Sequence, residues 1–399
     1  MQKFFVTLGV SLAAGLATLT ASAQAPVTPP ATTPTATPAA PATTPAQPSV
    51  VAANKDSLIK IDGRFFVGIF SSDHDGAYPN RALDVPDAKL RFTFTPSKDI
   101  TIVNRFSNNK GASNGFDYFY LDLNNWGGAL PGHVLRAGKV KIDTGEETWT
   151  DNPMESILIT NSAASVGGYD GGVNFRGPIP LLPATYSVAV YNSTGGVGSA
   201  TNGLAAGVKV SSNPIDQLYF SASYYDSGDM IKSDGTVTSP ALKVANLQSV
   251  PSGAKAWDRK LYEVDARWNY GKNGITPVIP SNGKKVPFQV GVAYGHWSDD
   301  FAGVSERDGN YWSAEALYNV TAKLYLAARY SEVKLEDGMT AKLVDSPVAV
   351  NAYQRRAFGA GYHLTPLTDL KVEFTNNVTD GGTSKPKLNQ ITVGLANKF

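Results

Sequence analysis

The stretch LYEVDARWNY (261–270) puts Tyr262, Val264, Ala266, Trp268 and Tyr270 on one side of an extended chain and Glu263, Asp265, Arg267 and Asn269 on the other. Side chains alternate across a strand, so a period of two reads as β-structure with one apolar and one polar face. The same split runs through 59–69, where Ile59, Ile61, Phe65, Val67 and Ile69 oppose Lys60, Asp62 and Arg64, and it returns in LKVEFT (370–375). Such segments recur at 57–72, 84–95, 100–107, 116–124, 133–142, 172–178, 184–193, 204–212, 215–226, 258–270, 287–297, 310–320, 322–334, 352–364, 369–378 and 388–399, about sixteen strands in all.

Their connections carry a second regularity. TPSKD (95–99), SNPI (212–215), NVTA (319–322) and LTPLT (364–368) are short turns and each follows an even-numbered strand, whereas most connections after odd-numbered strands are long, polar and Gly-rich, such as 227–257 and 335–351. A transmembrane antiparallel β-barrel has this parity, with short turns on one rim and long loops on the other. The connection 271–286 breaks it by being long where a turn belongs. A secreted sandwich or propeller also alternates, but its apolar face points into a core. Three features favour lipid. Tyr224, Tyr270, Tyr318, Tyr330 and Phe399 stand toward strand ends on the apolar face, as interfacial girdles do. In QVGVAYG (289–295) and AFGAG (357–361) the opposite face carries small residues, which leave room for water. The end of the chain, ITVGLANKF (391–399), sets Ile391, Val393, Leu395 and Phe399 on one face, similar to the aromatic-ended last strand of outer-membrane proteins, with Asn397 interrupting the series.

Of 399 residues, 42% are apolar and 17% charged, with 35 Lys and Arg against 34 Asp and Glu, and the net charge of +1 gives no global reason to attract nucleic acid. Cysteine is absent, which excludes disulfides, thiolate metal sites and a cysteine nucleophile. A charged start, an apolar run from Phe4 to about Leu19 and the small residues Ala21, Ser22 and Ala23 form a secretory signal over 1–23, with cleavage after Ala23. Residues 24–51 form a spacer, almost wholly Pro, Ala and Thr over 26–49, a composition that favours extended polyproline II geometry. It reads either as a tether to a periplasmic or cell-wall partner or as an unstructured leader. From 52 to 399 no run of 18 apolar residues occurs, which leaves strands as the only spanning elements of an outer-membrane barrel.

A barrel of about sixteen strands is too wide for side chains to fill and encloses an aqueous channel. Alternation turns Lys60, Arg64, Lys89, Arg91, Arg105, Arg176, Lys209, Arg267, Arg329, Arg355 and Lys371 inward as pore-lining cations, with Asp62, Asp87, Asp122, Glu263, Asp265, Glu315 and Glu373 beside them. The same residues are also placed to pair across neighbouring strands as structural ion pairs. The connection after the fifth strand has no Lys or Arg between Lys141 and Arg176 but carries Asp143, Glu146, Glu147, Asp151, Glu155 and Asp170, and an apolar ILI at 157–159. That pattern describes a third outer loop folded into the lumen, its acids facing the basic wall across a narrow gap.

The segments VPDAKLRFTFTPSKDITI (85–102) and LRAGKVKIDTGEETWTDNPM (135–154) resemble those of the phosphate-selective porin O/P family, over roughly residues 55–399. The resemblance implies a sixteen-stranded barrel, commonly a homotrimer, with an inward constriction loop and passive flow of small anions. The acidic third loop departs from a purely anion-binding constriction, and general porins with opposed acidic and basic walls are the nearer analogy.

Enzyme chemistry finds no motif. His74, His133, His296 and His363 lack metal-binding spacing, and DHDG (73–76) starts like a calcium loop but has Asp84 where a bidentate Glu belongs. No nucleotide or cofactor fingerprint and no G-x-S-x-G is present. Two functional readings follow: a porin in the bacterial outer membrane, passing small hydrophilic solutes and ions between lipid walls, or a structural barrel that organises the envelope through its Pro-rich segment.

Overall fold

The computed structural model describes residues 58–399 except 110–111, 126–128, 148–151, 194–202, 271–285, 337, 345 and 383–385. The signal segment, the Pro-rich spacer, Asp151 and nearly all of the long 271–286 connection lie outside the described residues.

All sixteen elements among the described residues are strands: β1 (Ile59–Ser72), β2 (Ala82–Ser97), β3 (Ile100–Asn109), β4 (Ala112–Asn124), β5 (Val134–Lys141), β6 (Tyr169–Pro178), β7 (Ala184–Tyr191), β8 (Ala205–Ile215), β9 (Leu218–Asp226), β10 (Asp258–Tyr270), β11 (Phe288–Asp300), β12 (Arg307–Asn319), β13 (Leu324–Leu335), β14 (Ala352–Thr365), β15 (Thr368–Asp380) and β16 (Gln390–Lys398). Each pairs antiparallel with its sequence neighbours, and β1 pairs with β16 to close the ring. The seam runs from Arg64 opposite Lys398 to Ser72 opposite Gln390. Beyond it, Phe399 and Gly63 exchange both backbone hydrogen bonds, each 3.1 Å. A side chain at Gly63 would collide with the Phe399 ring, so this glycine seats the terminal aromatic. No strand edge is left to pair with solvent or lipid, as a wall in hydrocarbon requires.

The polarity is inverted relative to a soluble protein. On β10, Tyr262, Val264, Trp268 and Tyr270 are exposed outward, while Glu263, Asp265 and Asn269 on the other face are buried. Exposed Ile59, Ile61, Leu83, Val188, Val208, Val292, Leu326 and Phe358 continue the apolar exterior around the ring. A sandwich or propeller would bury these residues and expose the carboxylates; the barrel presents them to lipid. Of the girdle residues, Tyr224, Tyr270, Tyr318 and Phe399 are exposed and Tyr330 is half-buried.

Several strand ends differ from the periodicity. β2 runs on through Pro96 to Ser97, with a register shift between Phe94 and Ser97 where proline has no N–H to give. β3 and β4 extend past the expected 107 and 116 and pair out to Asn109 opposite Ala112, so this odd-numbered connection is short.

Sixteen strands spaced about 4.8 Å and tilted about 40° give a backbone diameter of roughly 30 Å, and what fills that width decides the function. Replacing outward Val264 by Arg is expected to cost about 2–4 kcal/mol of barrel stability if it sits near the bilayer midplane. Denaturant unfolding in lipid vesicles measures it, and an unchanged stability would contradict the outward face.

Candidate functional site: the lumen and its third loop

Residues 142–168 join β5 to β6, yet they are held by strands halfway round the ring. The Gly145 N–H donates to Ser223 Oγ on β9 (3.0 Å), and Lys209 Nζ on β8 donates to the Gly145 carbonyl (2.8 Å). On the far side Arg329 on β13 donates to the Thr160 carbonyl (2.8 Å), Arg355 on β14 to Asn161 (2.9 Å) and Lys371 on β15 to Ser156 (2.6 Å). Glu373 on β15 accepts from the N–H groups of Ile159 and Thr160 and from the Thr160 hydroxyl. Those partners all lie on the inward face. A segment rooted at β5 and β6 reaches the inward faces of β13–β15 by crossing the lumen.

Its apolar stretch supplies the packing. Ile157 and Leu158 are buried against Leu317, Tyr325, Ala327 and Ala357, and Met154 against Phe66, Phe70 and Ala396. Some of the small inner-face residues therefore seat side chains rather than leave open space. A side chain at Gly361 would overlap the Tyr325 ring, and one at Gly359 would lie 2.8 Å from the Leu158 side chain.

The eleven cations expected to line the pore separate into two groups. Lys209, Arg329, Arg355 and Lys371 are each buried beneath the third loop, where each donates to a loop carbonyl. Arg267 joins them, sharing Glu315 (3.1 Å) with Arg329 (2.9 Å). A buried cation is tolerated only when paired and hydrogen-bonded, and loop carbonyls plus wall carboxylates meet that condition. The other group, Lys60, Arg64, Lys89, Arg91, Arg105 and Arg176, stands on β1, β2, β3 and β6. Arg64 pairs with Asp87 (2.8 Å), Arg91 with Asp62 (2.8 Å), and Lys89 and Arg105 share Asp117 (3.1 and 2.6 Å). Lys60 is 59% exposed near the rim, 3.7 Å from Asp62. Arg176 has no ion pair among the described residues.

Asp143 and Glu146 turn to Lys209 (3.5 and 2.8 Å), Glu146 also accepts from the Tyr219 hydroxyl, and Glu147 is held within the loop by the Ser162 hydroxyl (2.7 Å). Glu155 lies in the turn where its N–H donates to the Asn152 carbonyl (2.8 Å). The carboxylates facing the β1–β3 cations are contributed by the wall itself. Asp117 and Arg136 were missed by reading the sequence. Arg136, which binds Asp122 through two hydrogen bonds (2.7 and 2.8 Å) and lies over the Tyr120 ring, could have been found by continuing the alternation through β5. His296 meets Asn310 (3.0 Å) and His363 meets Asp369 (2.6 Å).

The outer lumen holds a third feature absent from the periodicity. Ala163, Ala164 and Val166 of the third loop, Leu242, Val244, Ala245 and Leu247 of the 227–257 loop, and Leu343 and Val350 of the 336–351 loop form one apolar cluster with inward Leu261, Trp297, Tyr311 and Tyr353. Beside it, a cavity of about 450 Å³ opens between the third loop, the 227–257 loop and the rim of β5 and β6, with Lys139, Lys141, Tyr169 and Lys243 in its lining.

Gly145 packs directly against the wall. Its φ is +64°, and an added side chain would run into the Glu263 carboxylate, which is buried beneath it. Gly145→Val is therefore expected to lift the first turn of the loop and speed cleavage by a Glu-specific protease after Glu146 and Glu147, with the barrel intact. Wild-type cleavage rates would contradict this anchoring.

No known family model and no curated protein sequence matches the chain. Solved structures do. A loop L8 deletion mutant of OmpT, an outer membrane protein of Vibrio cholerae, superposes with a TM-score of 0.56 at 12% identity over 86% of this chain and 99% of that one. An anion-selective porin from Comamonas acidovorans gives 0.54 at 12% over 86% and 99%, and the outer membrane channel DcaP of Acinetobacter baumannii gives 0.54 at 14% over 86% and 97%. At such identities the likeness establishes a shared fold, the outer-membrane β-barrel.

Proposed function

We propose that this chain is an outer-membrane porin, a water-filled channel for passive diffusion of small hydrophilic solutes and ions, with a preference for anions. The observation that carries the reading is the third loop, which crosses the barrel and is tied to the inner face of β8, β9 and β13–β15. A purely structural barrel has no need of a segment that narrows its interior. The loop touches β1 at Met154 and leaves most of the wall of β1–β6 to border the passage. On that wall Lys60, Arg64, Lys89, Arg91, Arg105, Arg136 and Arg176 stand with six carboxylates, Asp62, Asp84, Asp87, Asp117, Asp122 and Asp170, which leaves a small excess of positive charge. A low-dielectric lining focuses such a field and raises the local concentration of anions. The names borne by two of the similar structures, an anion-selective porin and an outer membrane channel, agree with this reading. A homotrimer, exported by residues 1–23 and seated in outer-membrane lipid, completes it.

Reconstitution into planar bilayers is expected to give stepwise conductance and, in a salt gradient, a reversal potential of anionic sign. Inserted protein that passes no current would refute the porin. Neutralising Arg64, Lys89, Arg91 and Arg105 together leaves Asp62, Asp87 and Asp117 uncompensated and is expected to move the reversal potential toward cations. An unchanged potential would show that current follows another wall.

A further inference from the structure

Arg259, on the inward face of β10, is fully buried, as is its partner Asp299 on β11. The two make a double hydrogen bond, Nε to Oδ1 (2.6 Å) and Nη2 to Oδ2 (2.9 Å). Asp299 also accepts from Trp257 Nε1 (2.9 Å) and from Arg307 Nε and Nη2 (2.9 and 2.6 Å). The Arg259 fork extends beyond that network. Nη1 donates to the carbonyl of Leu242 (2.9 Å) and Nη2 to that of Leu247 (3.0 Å), two points of the 227–257 loop that bracket its apolar tip. A planar fork with five donors can hold a carboxylate and two carbonyls together; an ammonium cannot.

The tip so pinned is the centre of a clasp. Lys243 exchanges backbone hydrogen bonds with Gly167 of the third loop (2.9 and 3.2 Å), the Ala245 N–H donates to the Ala164 carbonyl, and the Val344 N–H of the 336–351 loop donates to the Ala245 carbonyl (2.8 Å). Four residues at these contacts, Ser165, Ala245, Asn246 and Val344, have φ between 46° and 64°, a left-handed backbone that a β-branched valine adopts only at a cost. Backbone strained in this way persists only where surrounding contacts impose it. Here the contacts are the buried apolar cluster and the Arg259 fork. The pinned segment is also a wall of the 450 Å³ cavity at the β5–β6 rim, to which Thr238, Pro240, Lys243 and Gln248 contribute.

From this geometry we propose that Arg259 is a positioning residue that sets the size limit of the channel, holding the 227–257 loop across the outer lumen so that only the passage beside β1–β6 stays open. The proposal rests on the porin reading but concerns a different part of the lumen from the third-loop anchors. It is distinct from charge selectivity: Arg259 is sealed from solvent and acts through the loop.

The test is swelling of liposomes containing the full barrel, with arabinose, glucose, sucrose and raffinose as graded probes. Arg259→Lys keeps a charge opposite Asp299 but loses the fork, and it is expected to raise raffinose entry relative to arabinose severalfold. Because the chain has no cysteine, Gly167→Cys with Lys243→Cys introduces a single cross-link between the loops at paired bridge positions. In the Arg259→Lys background, oxidation is expected to return the raffinose-to-arabinose ratio to the wild-type value, and reduction to release it again. A lost fork that only weakened the fold would lower heat-modifiable barrel yield without this redox response. An unchanged ratio in Arg259→Lys, or a raised ratio indifferent to the cross-link, would overturn the proposal. Wild-type protein that admits no sugar at all would instead overturn the porin reading.

Discussion

A wall in hydrocarbon has no water to satisfy its backbone, so every N–H and C=O must find a partner within the sheet. Antiparallel closure meets that demand here. β1 and β16 pair over nine residues and Phe399 adds two more backbone bonds at Gly63, which leaves the ring without an edge. Closure then dictates the rest. Alternate side chains must face lipid or the enclosed space, the exterior becomes Val, Leu, Ile and aromatic, and the charged half of each strand is gathered inside. Soluble proteins hide their apolar residues. This one hides its ions.

Gathering ions inside creates a second requirement, because buried charge must be compensated. Carboxylates from adjacent strands do this on β1–β5, where Asp62, Asp87, Asp117 and Asp122 each meet a cation. On β8 and β13–β15 the compensation is supplied by loop backbone. Lys209, Arg329, Arg355 and Lys371 donate to carbonyls of residues 145–161, and Glu373 accepts from N–H groups there. The loop in turn obtains partners for a backbone that would otherwise lie unpaired in the lumen. Charge compensation and the course of the loop are one arrangement: on β8 and β13–β15 the inward cations are bound by the loop, and on β1–β3 they are bound by carboxylates of the wall, with Arg64 and Arg105 buried as well.

The strands were legible because a period of two survives in any window of a half-exposed strand. The stretch 258–270 coincides with β10, and 184–193 lies within two residues of β7. Which residues face inward was equally legible, since alternation assigns Glu263, Arg329 and Lys371 to the polar face without reference to tertiary contacts. What each inward cation meets was not. Arg105 and Arg329 look alike in sequence, but one pairs with Asp117 and the other with Thr160 of a distant loop. Loops carry no period, so the apolar cluster built by Leu242, Ala164 and Leu343 gave no signal. Glycine misled for a related reason: an inner-face Gly leaves space, and only the structure shows that Tyr325 takes the space at Gly361.

All of this depends on which face of each strand meets lipid. A nitroxide scan of residues 261–270 in bilayers, with molecular oxygen as the lipid-soluble quencher and a nickel chelate as the aqueous one, measures that directly. The greatest oxygen contact is expected at 262, 264, 266, 268 and 270, with weak oxygen contact at the residues between them. Strong aqueous contact at Val264 and Trp268, with oxygen reaching Asp265 instead, would contradict it.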